Sequence, residues 1–106
     1  MMTQRDRKIA EELKTRLSEA VTLIDFKVFG SRARGDSEEY SDMDVFLEVE
    51  SISKDLKEKI SDIIWEVGFN NYLIISSLIF TREEIENSPL RASPILKNIN
   101  SEGIRI

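Results

Sequence analysis

The chain of 106 residues contains neither cysteine nor histidine. Without cysteine it cannot form a disulfide framework, a thiolate nucleophile or a zinc ribbon. Without histidine it cannot form a Ser-His-Asp triad, an imidazole base or a His-ligated zinc site. Any metal ion must therefore be held by oxygen ligands, which favours Mg²⁺, Mn²⁺ or Ca²⁺.

Long apolar runs and an excess of positive charge are also missing. No run approaches the roughly 20 apolar residues of a membrane-spanning helix, and no segment resembles a signal peptide. We therefore expect a cytoplasmic protein with no membrane partner. The formal net charge is -5, from 15 Lys and Arg against 20 Asp and Glu. Gripping a phosphate backbone needs clustered Lys and Arg, so the charge argues against a nucleic-acid partner.

The remaining composition is that of an ordinary folded domain, with 41% hydrophobic and 33% charged residues. The length predicts a single domain over residues 1–106. Hydrophobic periodicity predicts the order α-β-β-α-β-α-α, with room for a last strand at Ile104–Ile106. The pattern favours an α/β (α+β) fold, a small mixed sheet with helices packed mainly on one face.

The individual elements follow from spacing and end signals. Apolar residues at intervals of four predict a first helix, and strict alternation predicts a strand from Met43. A nearly continuous apolar run, YLIISSLIF, predicts a strand covered on both faces. Serine and threonine caps predict where the later helices begin. The predicted elements are helix Arg5–Val21, strands Asp25–Phe29 and Met43–Glu50, a helix capped by Ser53 and ending near Gly68, strand Tyr72–Phe80, a helix after the Thr81 capping box, and a helix from Ser93-Pro94 to Gly103.

The most informative stretch begins after the first predicted strand, where residues 30–37 read GSRARGDS. The pattern nearly matches the phosphate-binding P-loop, G-x-x-x-x-G-K-[ST], but Asp36 stands where the lysine belongs. An EF-hand loop starting at Asp36 fails as well, because Ser41 and Leu47 occupy the positions that need Gly and Glu. The stretch therefore predicts a phosphate site of another kind, or no site.

Two features of this stretch suit phosphate. Gly30 lets the backbone approach a ligand closely, and the Ser31 hydroxyl adds a hydrogen-bond donor to the amides that follow it. Arg32 and Arg34 could supply the positive charge of the missing lysine. The plainer interpretation is a serine-capped turn with surface arginines that balance an acidic loop.

Asp42-Met43-Asp44 precedes and enters the alternating strand. Residues two apart on a strand point to the same side, with Cα atoms roughly 6.5–7 Å apart. Two carboxylates so placed can share a cation, as phosphoryl-transfer sites require. The alternative is a solvated strand edge, since the D-x-D pattern is common.

Taken together, Gly30-Ser31, ten intervening residues and Asp42-x-Asp44 resemble the signature of the DNA polymerase β-type nucleotidyltransferase superfamily. The chain is especially similar to the minimal nucleotidyltransferases of bacteria and archaea, which are single small domains. The resemblance implies that Gly30 and Ser31 bind a nucleoside triphosphate, ATP being the first choice, with help from Arg32 or Arg34. It implies that Asp42 and Asp44 are catalytic and ligate Mg²⁺, or Mn²⁺ in its place.

One expected feature of the superfamily is missing. Active members usually carry a third carboxylate on a neighbouring strand, where it helps to activate the acceptor hydroxyl. The matching strand here has no Asp or Glu between Glu66 and Glu83, and the inward position falls at Ser76 or Ser77. Glu48 is a poor substitute, because it would lie about 13 Å from Asp44 along the strand. The sequence therefore leaves two interpretations open, an active transferase or a weak or inactive nucleotide- and partner-binding protein.

The resemblance also implies a partner. Minimal nucleotidyltransferases of this kind are commonly paired with small helical HEPN proteins and act as their antitoxins, in some pairs by adenylylating a tyrosine. The segment Leu90–Ile106, with Ile95, Leu96 and Ile99, could dock such a protein or could simply close the core. The apolar tail and strand also permit a homodimer.

Overall fold

The computed structural model describes all 106 residues, which form five α-helices, four β-strands and one 3₁₀ turn. No helix combines the length and apolar character needed to span a membrane. In chain order the elements are α1 (Gln4–Ala20), β1 (Leu23–Phe29), α2 (Ser31–Arg34), β2 (Met43–Val49), α3 (Lys54–Asn70), β3 (Ile75–Thr81), α4 (Arg82–Asn87), the 3₁₀ turn Pro89–Ala92, α5 (Pro94–Glu102) and β4 (Ile104–Arg105).

The four strands form one mixed sheet in the order β3-β2-β1-β4. β1 runs antiparallel to both β2 and β4, whereas β2 and β3 are parallel. In this register Phe29 lies opposite Asp44, and Asp44 lies opposite Ser76. The mixed sheet and the strand at the end of the chain confirm the predicted fold class.

The helices α1 and α3 cover one face of the sheet. The alternation read from the sequence places every second residue of β2 on this face, beginning with Met43. This core contains 16 buried residues, against 3 in the core on the opposite face. The helices therefore pack mainly on one face, as predicted.

The opposite face is only partly covered. Phe46 of β2 packs there against Leu96 and Ile99 of α5. The start of β2 is left open, since Asp42 is exposed and Asp44 only partly buried. This uncovered part of the face adjoins the turn between β1 and α2.

Side chains cap the helices where the sequence predicted. The Ser53 hydroxyl accepts a hydrogen bond from the Leu56 amide at 3.1 Å. Thr81 and Glu84 form a complete capping box. Ser93 caps α5, with Pro94 at its first position. Each cap satisfies amides that a helix start would otherwise leave unpaired.

The prediction for the third strand was wrong in two respects, its first residue and its burial. β3 begins at Ile75 rather than Tyr72, and none of its residues is buried. It is an edge strand, paired only with β2. Continuous apolar runs are typical of central strands, but here part of the apolar surface faces solvent.

Candidate functional site

The turn between β1 and α2 is built on a glycine. Gly30 has φ 73° and ψ -156°, a backbone conformation that essentially only glycine adopts. A Cβ atom at Gly30 would lie 2.5 Å from Oδ2 of Asp44. Glycine is therefore required both by the backbone and by space, and the Asp44 carboxylate lies directly against the turn.

Asp42 and Ser76 complete the surroundings of Asp44. Ser76 is in register with Asp44 on the neighbouring strand, so the two side chains share a face. The Ser76 hydroxyl donates a hydrogen bond of 3.4 Å to Oδ2 of Asp42. The structure thus brings Gly30, Asp42, Asp44 and Ser76 together at one end of the sheet.

The charge of the two carboxylates is left largely uncompensated. Burial raises the pKa of Asp44, the negative charge of Asp42 raises it further, and Arg34 partly offsets both effects. Neither Asp42 nor Asp44 forms an ion pair within the chain. Two neighbouring carboxylates without a cation are the hard oxygen donors that Mg²⁺ and Mn²⁺ prefer, so this donor set fits the implied metal.

Ser31 follows Gly30 directly and is the first residue of the short helix α2. Its hydroxyl makes no hydrogen bond within the chain, whereas its carbonyl accepts hydrogen bonds from the amides of Gly35 and Asp36. The backbone of the turn is thereby held, and the Ser31 hydroxyl remains available. The position is compatible with the predicted nucleotide contact, which stays a prediction.

Arg32 is placed differently from expectation. Its side chain is 5% exposed, and Nη1 donates to both Asp6 carboxylate oxygens at 2.9 and 3.1 Å. Nε and Nη2 donate to the Ser41 carbonyl at 3.0 and 2.7 Å, and Nη2 also donates to the Glu39 carbonyl at 3.2 Å. Because every nitrogen of the guanidinium is engaged inside the protein, this placement favours a positioning role over the predicted contact with phosphate.

Asp6 is the residue of the site region that sequence reasoning missed. It lies in the first turn of α1 and is 2% exposed. Through Arg32 it fastens α1 to the loop that ends at Asp42. The available signal was its spacing, since Asp6, Ala10, Leu13 and Leu17 follow one helical stripe and a carboxylate there must be buried.

Arg34 remains at the rim of the site. Its side chain is 46% exposed and forms salt bridges of 3.2 Å with both Asp36 and Glu102. The positive charge of Arg34 lowers the pKa of Asp44, against the larger effects of burial and of Asp42. It is the one arginine of the motif that solvent reaches.

The position of the usual third carboxylate is occupied by Ser76. Ser77 lies on the other face of β3, beside α3. Glu48 lies opposite Asp25 further along the sheet, with the buried Phe46 between it and Asp44. No group of three or more acidic side chains converges anywhere in the chain to hold a metal ion.

A comparison with known families agrees with this geometry. The family model for the nucleotidyltransferase domain matches residues 6–104, which is nearly the whole chain. The chain therefore belongs to the nucleotidyltransferase-domain family. The match begins at the buried Asp6 and ends within β4.

Solved structures show the same fold. A protein classed as a minimal nucleotidyltransferase is similar with a TM-score of 0.69 and 20% identity, over 100% of this chain and 97% of that one. A protein from Sulfolobus solfataricus classed as a nucleotidyltransferase is similar with a TM-score of 0.57 and 17% identity, over 92% of this chain and 76% of that one. No curated protein matches the sequence.

Proposed function

We propose that this nucleotidyltransferase transfers a nucleoside monophosphate from a nucleoside triphosphate to a hydroxyl group on a partner protein. ATP is the triphosphate that we expect it to use. The observation that supports the proposal is that the Asp44 carboxylate lies directly against Gly30, with Asp42 beside it. Two carboxylates placed directly beside a turn with free backbone amides suit a metal-bound triphosphate.

The proposed roles follow from these positions. Asp42 and Asp44 would hold Mg²⁺, or Mn²⁺, which when bound neutralises charge on the phosphates. Gly30 gives the phosphate chain room to approach, and the Ser31 hydroxyl donates to a phosphate oxygen. Arg34 can leave its exposed salt bridges, because ion pairs in contact with solvent are weak, and turn toward the phosphates.

We propose a helical protein of the HEPN type as the partner and an antitoxin role for this chain. The small fold and the net charge of -5 favour a protein acceptor over a nucleic acid. In the segment Leu90–Ile106, Leu96 and Ile99 are buried against the sheet and close the smaller core. Only Leu90 and Ile95 of its large apolar side chains are exposed for a partner, at 39% and 45%.

The second candidate is a weak or inactive relative that binds nucleotide and partner without transfer. The observation in its favour is Ser76, which places a neutral hydroxyl where a third carboxylate would help to deprotonate the acceptor. A hydroxyl neither accepts a proton near neutral pH nor binds Mg²⁺ strongly. The Asp42 and Asp44 pair alone would still support nucleotide binding.

The test incubates the protein with α-labelled ATP, Mg²⁺ and a HEPN-type protein encoded beside it. Transfer predicts label on the partner that is lost in Asp42→Ala and Asp44→Ala. Glu48→Ala is the matched control, because it removes a carboxylate from the same strand face outside the site and should label normally. Metal-dependent ATP binding without label, in Mg²⁺ or Mn²⁺, would contradict transfer and support the second candidate.

A further inference from the structure

The two edges of the sheet differ in how they are protected. At one edge, β4 is only two residues long, and its Arg105 is held by Asp25 in two hydrogen bonds of 2.9 and 3.1 Å. At the other edge, the seven residues of β3 have no strand beyond them. No charged residue occurs between Glu66 and Arg82. Proteins usually shield a free edge with charges, proline or a bulge, and β3 has none of these in its sequence.

An exposed aromatic cluster overhangs this free edge from α3. Trp65 and Phe69 stack with ring centroids 5.0 Å apart and 13° between their planes, yet they are 67% and 66% exposed. Tyr72 and Ile74, which lead into β3, are 96% and 69% exposed, and Tyr40 is 90% exposed. We call these five residues the edge patch. They line an open cleft of about 850 Å³ in which Glu39 is the only charged lining residue.

The size of the edge patch matches one side of a stable interface. Aromatic side chains carry roughly 150–250 Å² each, so five large side chains exposed by two-thirds or more offer on the order of 600–900 Å². A standard interface buries about 800 Å² on each partner. Trp, Tyr and Phe with few charges are also the composition of interface cores, especially in homodimers.

We propose that a second copy of this chain covers the edge patch, by pairing β3 with its own symmetry mate in antiparallel orientation. Antiparallel pairing of β3 with the β3 of a second copy is compatible with a two-fold axis. If residue i of one copy lies opposite residue j of the other, then residue j of the first lies opposite residue i of the second. The two sheets would become one sheet of eight strands. The helices α3 would then face each other above the dyad, with Trp65 and Phe69 between them.

Charge is arranged to permit this self-association. Glu66, the acidic residue next to Trp65, turns toward α1 and forms a 3.2 Å salt bridge with Arg16. The acidic charge nearest Trp65 is therefore compensated within each copy, although each copy carries a net charge of -5. None of the five edge-patch residues is charged, so the patch needs no charged partner. The same uncharged surface of a second copy can pack against it.

The direct test is the mass of the full chain in solution, by sedimentation equilibrium over a concentration series. We expect twice the 12.2 kDa chain mass at high concentration. Trp65 is the only tryptophan, so its emission should shift to the red as the dimer is diluted. A wild-type protein that stays at the monomer mass up to about 100 μM, a concentration at which even weak interfaces form, would overturn the proposal.

Two variants test whether β3 forms the interface between the copies. Ser77→Lys puts a charge on the free edge at a residue that is exposed in the single chain, so the variant should fold. We expect it to weaken dimerisation by about tenfold or more, since an edge lysine opposes strand pairing. Ser101→Lys makes the same change at an exposed residue of α5 and should leave the dimer constant unchanged. A dimer that tolerates Ser77→Lys, or that both variants weaken equally, would show that the copies meet elsewhere.

Discussion

One face of the sheet carries two pairs of carboxylates, and the two pairs differ in the hydrogen-bond donors and cations that surround them. At the far end, Asp25 and Glu48 are direct neighbours across β1 and β2. Asp25 is bound by Arg105 at 2.9 Å and lies 3.6 Å from the Lys27 ammonium. At the near end, Asp42 and Asp44 have only a serine hydroxyl and a distant arginine.

The pKa values of Asp25 and Asp44 are shifted in opposite directions. Burial alone would raise the pKa of Asp25, but the hydrogen bond from Arg105 and the charges of Lys27 and Arg105 hold it below its ordinary value. At Asp44 no such partner exists, and burial together with Asp42 raises the pKa. The chain compensates Asp25 with its own cations, whereas Asp42 and Asp44 have no ion pair within the chain. That contrast separates the candidate site from ordinary structural charge.

The largest expected effect is that of Asp44→Asn on transfer. Losing a metal ligand should lower the rate of partner labelling by about 10³-fold, since a bound metal contributes several kcal/mol to the transition state. The free energy of unfolding should not fall, because the lost charge was already disfavoured by burial. Labelling kinetics and urea unfolding on the same preparation check both halves. A variant that labels normally would remove Asp44 from the site.

The matched change at the other end is Asp25→Asn, and its pattern should be reversed. It removes the carboxylate that Arg105 and Lys27 share, which should cost about 1 kcal/mol of unfolding free energy, a modest figure because Arg105 is exposed. Partner labelling should stay at the wild-type rate. Urea unfolding and the labelling assay measure the two values, and a large loss of labelling would break the comparison.

The pH dependence of stability should distinguish the same two variants. The folded-state pKa of Asp25 lies below the ordinary 3.8, so its contribution is present above that pH and is lost as the pH falls through the folded value. The contribution of Asp44 has the opposite sign. Its folded-state pKa lies above 3.8, so the free energy of unfolding falls as the pH rises from 3.8 through the folded-state pKa.

Urea unfolding between about pH 3 and 6 measures these slopes. The destabilisation by Asp25→Asn should therefore shrink toward pH 3. Any stabilisation by Asp44→Asn should also shrink toward pH 3, where the wild-type carboxyl is already neutral. If both variants destabilised the protein with the same slope, the two ends would not differ in charge compensation.

The smallest expected effect is that of Glu48→Gln. Burial raises the pKa of Glu48, and the charge of Asp25 adds to this, so removing its charge should stabilise the fold slightly, by less than about 1 kcal/mol after allowance for solvent screening. Partner labelling should not change, because Phe46 separates Glu48 from the site. A clear loss of labelling would instead make Glu48 the missing third carboxylate.

The parts of the fold that depend on neighbours in sequence were predictable. Alternation from Met43 identified β2 and its buried face, and Ser53, Thr81 and Ser93 marked helix starts within a residue or two. The Gly30 turn was predictable for the same reason, since a short motif determines its backbone conformation, whereas the nucleotide contact assigned to the motif stays a prediction.

The parts that depend on distant contacts were not. Arg32 looked like a ligand for phosphate, and only the fold shows that Asp6, 26 positions earlier, takes its guanidinium. The run from Tyr72 looked like a central strand, and only the strand order shows that it lies at an edge. Local sequence indicates which side chains are unusual, but not which distant element receives them.

The link between Asp6 and Arg32 has a further consequence. The loop that delivers Asp42 is fastened to the first turn of α1, and helix ends are where a fold opens most readily. Brief fraying of that turn would release the loop while the four strands stay paired. On gentle heating, binding competence should therefore disappear before the sheet melts.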